Sequence, residues 1–130
     1  MNYDVVIDSY AWIEYFRGSK EGEIVKNHIE KSRCATPTIV IAELSDKYTR
    51  DGYETIEADM NFILSRTAII ELTKGIALTA GRTKNICRRN NPTFGLADAI
   101  IYETARSCNA SLLTGDSHFK GFDKVIFLGE

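Results

Sequence analysis

The sequence predicts an α/β fold, a parallel sheet covered on both faces by helices. Three observations carry this. Short apolar or β-branched runs alternate with segments of helical spacing along the whole chain, and no two runs are joined by a hairpin turn, so right-handed crossovers are expected. At 130 residues and 44% hydrophobic content the chain holds about one core, which predicts a single domain over 1–130. Two runs also end in an aspartate, Asp8 and Asp116, at the sheet edge where open α/β folds place their ligands.

The first run, Val5-Val6-Ile7, has the composition of a buried strand. It breaks at Asp8-Ser9 and resumes with Ala11, Trp12, Tyr15 and Phe16, a helical spacing closed by Gly18. Residues 23–32 read as an amphipathic helix with Ile24, Val25 and Ile29 inward, and His28 among its charges as a surface residue. Residues 34–36 form a strand. Thr36-Pro37 then starts a helix, Thr36 as N-cap and Pro37 in the first helical position. That helix runs to about Arg50 and ends near Gly52. Its early turns are apolar, yet they carry Glu43.

A second helix over 53–66 sets Ile56, Met60, Ile63 and Leu64 on one stripe, and 68–72 is the next strand. The helix over 73–90 ends in the chain's one basic concentration, Arg82, Lys84, Arg88 and Arg89. Arg82 and Arg89 share a face at seven-residue spacing. Asn90-Asn91-Pro92-Thr93 breaks it. The helix over 95–107 buries Leu96, Ala97, Ile100, Ile101 and Ala105 and carries Asp98 in its first turn. Strands over 111–114 and 125–128 complete the sheet, with Gly115-Asp116 at the exit of the first.

Composition excludes several classes. No apolar run approaches the ~20 residues that span a bilayer, and Met1-Asn2-Tyr3-Asp4 lacks the basic region of a signal peptide, so a cytoplasmic protein without membrane contact is expected. Cys34, Cys87 and Cys108 are odd in number and lack C-x-x-C spacing, so they read as buried reduced thiols rather than a disulfide framework or zinc site. The net charge of −2 argues against a generic basic nucleic-acid binder. Setting four of the 18 acids aside as ligands leaves 14 against 16 basic residues, a net +2 elsewhere, so overall charge does not decide the matter.

The acids carry the chemistry. Asp8 and Asp116 leave parallel strands at the same edge, Asp98 approaches it on a first helical turn, and Glu43 lies on an apolar helix where a carboxylate needs a partner. Singly, such acids cap helices or start turns. Together, with no lysine or arginine in the same motifs, they call for a cation, and oxygen donors without His or Cys suit Mg²⁺ or Mn²⁺. Such a site activates water and stabilises charge on a phosphodiester.

Four motifs resemble those of the PIN-domain ribonucleases, above all the VapC-type toxins of toxin–antitoxin pairs. They are Val6-Ile7-Asp8-Ser9-x-x-Trp12-Ile13-Glu14, Thr36-Pro37 followed by Glu43-Leu44, Leu96-x-Asp98-Ala99-x-Ile101, and Leu113-Thr114-x-Asp116-x-x-Phe119. The resemblance covers nearly the whole chain, in order. It implies a three-layer α/β/α sandwich, an Mg²⁺- or Mn²⁺-dependent endoribonuclease acting on RNA, a homodimer, and a cognate antitoxin that blocks the acidic pocket. Carried over by motif, Asp8, Glu43, Asp98 and Asp116 are the catalytic, metal-holding acids, with Asp8 and Asp98 foremost as direct ligands. Ser9 and Thr114 orient carboxylates or water, and Arg82, Lys84, Arg88 and Arg89 guide the RNA backbone.

Other residues are set aside. His118 has no spacing partner to make it a general base, Trp12, Tyr15 and Phe16 read as core or dimer surface, and Asp46 and Asp123 read as surface acids. Two rival readings stay open: a phosphoryl-transfer fold with an aspartyl nucleophile at Asp8, which lacks the expected strand-exit lysine, and a non-catalytic PIN-like module that binds RNA or protein.

Overall fold

The computed structural model describes residues 2–129; Met1 and Glu130, the ends of the expected domain, lie outside the described residues. Among these, five strands alternate with six helices. The strands are β1 (Val5–Ile7), β2 (Cys34–Pro37), β3 (Ala68–Ile70), β4 (Ser111–Thr114) and β5 (Val125–Phe127). The helices are α1 (Ser9–Arg17), α2 (Lys20–Lys31), α3 (Thr38–Asp51), α4 (Ile56–Arg66), α5 (Lys74–Cys87) and α6 (Leu96–Ser107), and a 3₁₀ turn over Ser117–Phe119 follows β4. All pairings are parallel, in the order β3-β2-β1-β4-β5.

This is the expected three-layer α/β/α sandwich. The chain moves outward from β1 to β2 to β3, then returns across the sheet to β4. With right-handed crossovers, α1–α4 cover one face and α5–α6 the other. β1 lies at the centre, every residue buried, with Val5 facing Cys34 on one side and Ser111 on the other. Because β1 connects outward one way and the return strand β4 lies beside it, the carboxyl ends of β1 and β4 form the topological switch point. Val6, Ile7, Leu112 and Leu113 are fully buried there, and Trp12 fills the core beneath α1.

Gly18 ends α1 in the left-handed region at φ 68°, where its N–H reaches the Tyr15 carbonyl. Gly22 lets α2 pack back on α1, since a Cβ there would collide with the Glu14 carbonyl. Of the three aromatic residues of α1, Trp12 is core, and Tyr15 and Phe16 are partly buried against it. Trp12 stacks on Phe16, and Tyr15 stacks on Phe62.

Several boundaries differ from expectation. Thr36 does not cap α3. It stays in β2, its hydroxyl accepting from Trp12 Nε1 (3.2 Å) and pairing with Thr67 Oγ1 (2.7 Å), while Pro37 is the N-cap without a side-chain bond. α2 begins earlier, capped by Ser19, whose Oγ accepts from Gly22 N at 3.0 Å. α4 begins later than expected and α5 ends earlier. Ile24, Leu64 and Leu96 are about half exposed rather than inward. For Ile24 and Leu64 the buried stripe passes instead through Val25 and Ile63, each about 100° further round the helix, with Ile29 on the same stripe as Val25.

Candidate active site

Asp8 ends β1 and caps α1, a position in which one carboxylate serves the fold and faces the crevice together. Its Oδ1 accepts from Ala11 N at 2.9 Å, and the Thr114 hydroxyl bonds it from the neighbouring strand. The same hydroxyl oxygen accepts from Asp116 N at 3.0 Å, so Thr114 ties the exit of β4 to the exit of β1. Asp8 is buried, and that desolvation pushes its pKa up to about 7. The two hydrogen bonds oppose the rise; the charges of Asp116 and Glu43 add to it.

Glu43, in the second turn of α3, accepts from Ser9 Oγ at 3.0 Å. Burial raises its pKa, Ser9 lowers it, and Asp98 and Asp116 raise it further. Asp98 sits in the first turn of α6 and receives Gly95 N on Oδ2 at 2.8 Å, a helix-start contact of the kind a capping acid makes. Its pKa too is raised, by burial first and by Asp116, against the Gly95 bond and the opposing effect of His118. Asp116 caps the 3₁₀ turn, its Oδ1 accepting from His118 N at 2.9 Å.

The four acids named from sequence therefore converge on one crevice, each within electrostatic reach of others. Among the described residues, none pairs with a lysine or arginine. Ser9 and Thr114 bond Glu43 and Asp8 respectively.

α5 ends at Cys87, with Arg88 as its C-cap still in the right-handed helical region, its N–H bonded to the Lys84 carbonyl, and Arg89 one residue further on. Arg88 Nε donates to the Phe94 carbonyl at 2.7 Å, tying the 90–95 segment to the end of α5. Arg82 and Arg89 are exposed and Lys84 half-buried, and none of these three has an ion-pair partner among the described residues. Asp46 pairs with Arg50 at the surface, and Asp123 is exposed, its carbonyl taken by Tyr102.

His118, set aside from sequence, belongs to the site. Its Nδ1 lies 3.2 Å from Asp98 Oδ2 and 3.2 Å from Asp116 Oδ1, and its Nε2 lies 2.8 Å from Thr93 Oγ1. The available signal was its position two residues after Asp116, a separation that a tight turn closes. One donor atom from each of Asp98, Asp116 and His118 lies within 4.8 Å of the others, a spacing that could hold a metal ion. The residues present fit a divalent cation: a buried carboxylate with its pKa pushed up, acids with no lysine or arginine partner among the described residues, and the buried, undirected Nδ1 of His118.

A parallel α/β sheet with acids gathered at its switch point defines a carboxylate-pocket α/β domain. Comparison with known families narrows this. The PIN domain model matches residues 5–125, and the chain belongs to the PIN domain family. No curated protein matches the sequence. Among solved structures, the chain is similar to a toxin–antitoxin complex from Klebsiella pneumoniae, with TM-score 0.75 and 24% identity over 98% of this chain and 99% of that one. It is also similar to VapBC2 from Rickettsia felis bound to a promoter DNA fragment, with TM-score 0.75 and 19% identity over 95% and 96%. Mycobacterium tuberculosis VapC20, a sarcin–ricin loop cleaving toxin, aligns with TM-score 0.73 and 16% identity over 94% and 97%. These likenesses establish the fold.

Proposed function

We propose that this chain is a divalent-metal-dependent endoribonuclease and the toxin of a toxin–antitoxin pair. The observation that carries the reading is the convergence of Asp8, Glu43, Asp98 and Asp116 on one crevice without a lysine or arginine among them. Clustered, partly desolvated carboxylates repel one another, and a divalent cation is the group that offsets this. Asp8 and Asp98 would hold Mg²⁺ or Mn²⁺ directly, with Asp116 and Glu43 directly or through water. When bound, the ion supplies Lewis acidity, activating water and neutralising charge on the phosphodiester.

The chain's own residues supply the rest. Thr114 fixes the Asp8 carboxylate and Ser9 fixes that of Glu43, so each acid faces the crevice in one orientation. The RNA lies across the open edge, its phosphates meeting Arg82, Lys84 and Arg89, while Arg88 holds the 90–95 segment in place. Hydrolysis in this frame leaves 5′-phosphate and 3′-hydroxyl ends. The likeness to toxin–antitoxin complexes supports a cognate antitoxin as partner, and the family resemblance supports a homodimer. No helix among the described residues is long and apolar enough to cross a membrane.

The test is cleavage of a mixed pool of structured RNAs by the purified protein, with Mg²⁺, with Mn²⁺ and with chelator, beside Asp98→Asn. Cutting that needs metal and disappears in the variant supports the reading. Metal-independent RNA binding without cleavage, by a protein that binds neither ion, replaces it with a binding module.

A further inference from the structure

We propose that His118 Nδ1 is itself a ligand of the divalent ion, so that the site takes a first-row transition ion in preference to Mg²⁺. This rests on the reading of the acids as metal ligands and adds a nitrogen to an otherwise all-oxygen donor set. Nδ1 lies 3.2 Å from Asp98 Oδ2 and 3.2 Å from Asp116 Oδ1. Two ligands ~2.1 Å from one ion sit ~3.0 Å apart along an octahedral edge and ~3.4 Å apart along a tetrahedral one. The observed separations fall between these values.

The contacts are not ordinary hydrogen bonds. Nδ1 is buried and has no directed partner, so the short distances lack the alignment of a donor aimed at an acceptor. The remainder of the residue is held in place. Its backbone N–H donates to Asp116 Oδ1 at 2.9 Å, its carbonyl accepts from Asn91 Nδ2 at 3.0 Å, and Nε2 meets the Thr93 hydroxyl at 2.8 Å. With the proton assigned to Nε2 and donated to Thr93 Oγ1, Nδ1 presents a lone pair to two carboxylates. Three electron-rich atoms facing one another repel unless a cation lies among them. Thr93 then acts as the outer partner that fixes the tautomer of a metal-binding imidazole.

Nitrogen changes which ion gains. Imidazole suits Fe²⁺, Ni²⁺ and Zn²⁺; Mn²⁺, at the weak end of that series, gains less from it but more than Mg²⁺, which demands oxygen and gives up its water reluctantly. His118 therefore strengthens the binding of transition ions selectively.

Calorimetric titration of metal-free protein with Mn²⁺ and with Mg²⁺ tests this, for the parent, His118→Gln and Asp98→Asn, with ¹⁴N electron spin-echo envelope modulation of the Mn²⁺ complexes. The parent should show coupling to a directly bound nitrogen, lost in His118→Gln. The same variant should bind Mn²⁺ roughly 10- to 100-fold more weakly, with Mg²⁺ affinity changed by less than about threefold. Mn²⁺ bound without nitrogen coupling overturns the inference, even if His118→Gln fails to fold. Unchanged or tighter Mn²⁺ binding in His118→Gln overturns it too, while loss of binding in Asp98→Asn keeps the acidic site standing. If the parent binds neither ion, both this inference and the metal-dependent reading fall.

Discussion

The hydroxyl of Ser9 donates to Glu43 Oε1 at 3.0 Å, joining the first turn of α1 to the second turn of α3 across 34 residues. It lowers a Glu43 pKa that burial and two neighbouring acids raise. Ser9→Ala removes the hydrogen bond that favours the charged form, so Glu43 holds its proton to higher pH. Mn²⁺ affinity should fall and partly recover as pH rises. Titrating affinity against pH for parent and variant checks this, and a pH-independent difference would rule out the protonation argument.

Thr36 gives a prediction about stability alone. Its buried hydroxyl serves Trp12 Nε1 and Thr67 Oγ1 together. Thr36→Val keeps the shape and strands the indole N–H, at a cost of about 1–3 kcal/mol. Denaturant unfolding should show that loss, Thr36→Ser should restore most of it, and metal affinity should be the same in all three. Reduced metal affinity in a folded Thr36→Val would place Thr36 in the site instead.

Thr36 also marks where the sequence is legible and where it is not. Local chemistry made Thr36-Pro37 a helix start, but the hydroxyl is taken by Trp12 and Thr67, partners 24 and 31 residues away. Sheet, crossovers and acids were readable because β-branched runs, the Gly18 stop and strand-exit aspartates are local signals. His118 was not, because its partners come from the start of α6 and from the 90–95 segment, a placement only the assembled fold provides. The bond from Arg88 to the Phe94 carbonyl is of the same kind, made by a loop that closes back on the end of α5.

That split among the arginines is testable. Measured in an Asp98→Asn background to prevent cleavage, Arg82→Ala and Arg89→Ala should each weaken RNA binding across sequences and reduce the salt slope by about 1. Arg88→Ala should instead cost stability, about 1–2 kcal/mol for its charged hydrogen bond to Phe94. Salt-dependent binding curves and thermal melts separate the two. Equal salt slopes in all three variants would return Arg88 to the phosphate-binding set.

Asp8 couples stability to pH in a direction opposite to most paired carboxylates. Its pKa is about 7 in the folded protein against an ordinary 3.8, with burial the principal cause. Between those values the folded state holds a proton that the unfolded state has released, so unfolding free energy falls as pH rises through the window. Below it both states are protonated and the penalty vanishes; above about 7 the penalty is complete. Glu43 and Asp98, also raised, act in the same sense. Metal-free protein should therefore lose stability from pH 5 to 7.5. Asp8→Asn keeps an oxygen for Ala11 N while removing the charge. At pH 7.5 without metal this variant should be more stable than the parent by about 1–3 kcal/mol, with a flatter pH profile. Mn²⁺ should reverse the order, stabilising the parent increasingly with pH and leaving Asp8→Asn unmoved. Denaturant unfolding at fixed ionic strength, with and without Mn²⁺, reads both halves. A metal-free Asp8→Asn less stable than the parent at neutral pH would mean that the buried charge is already compensated by the protein, and the case for a cation at Asp8 would go with it.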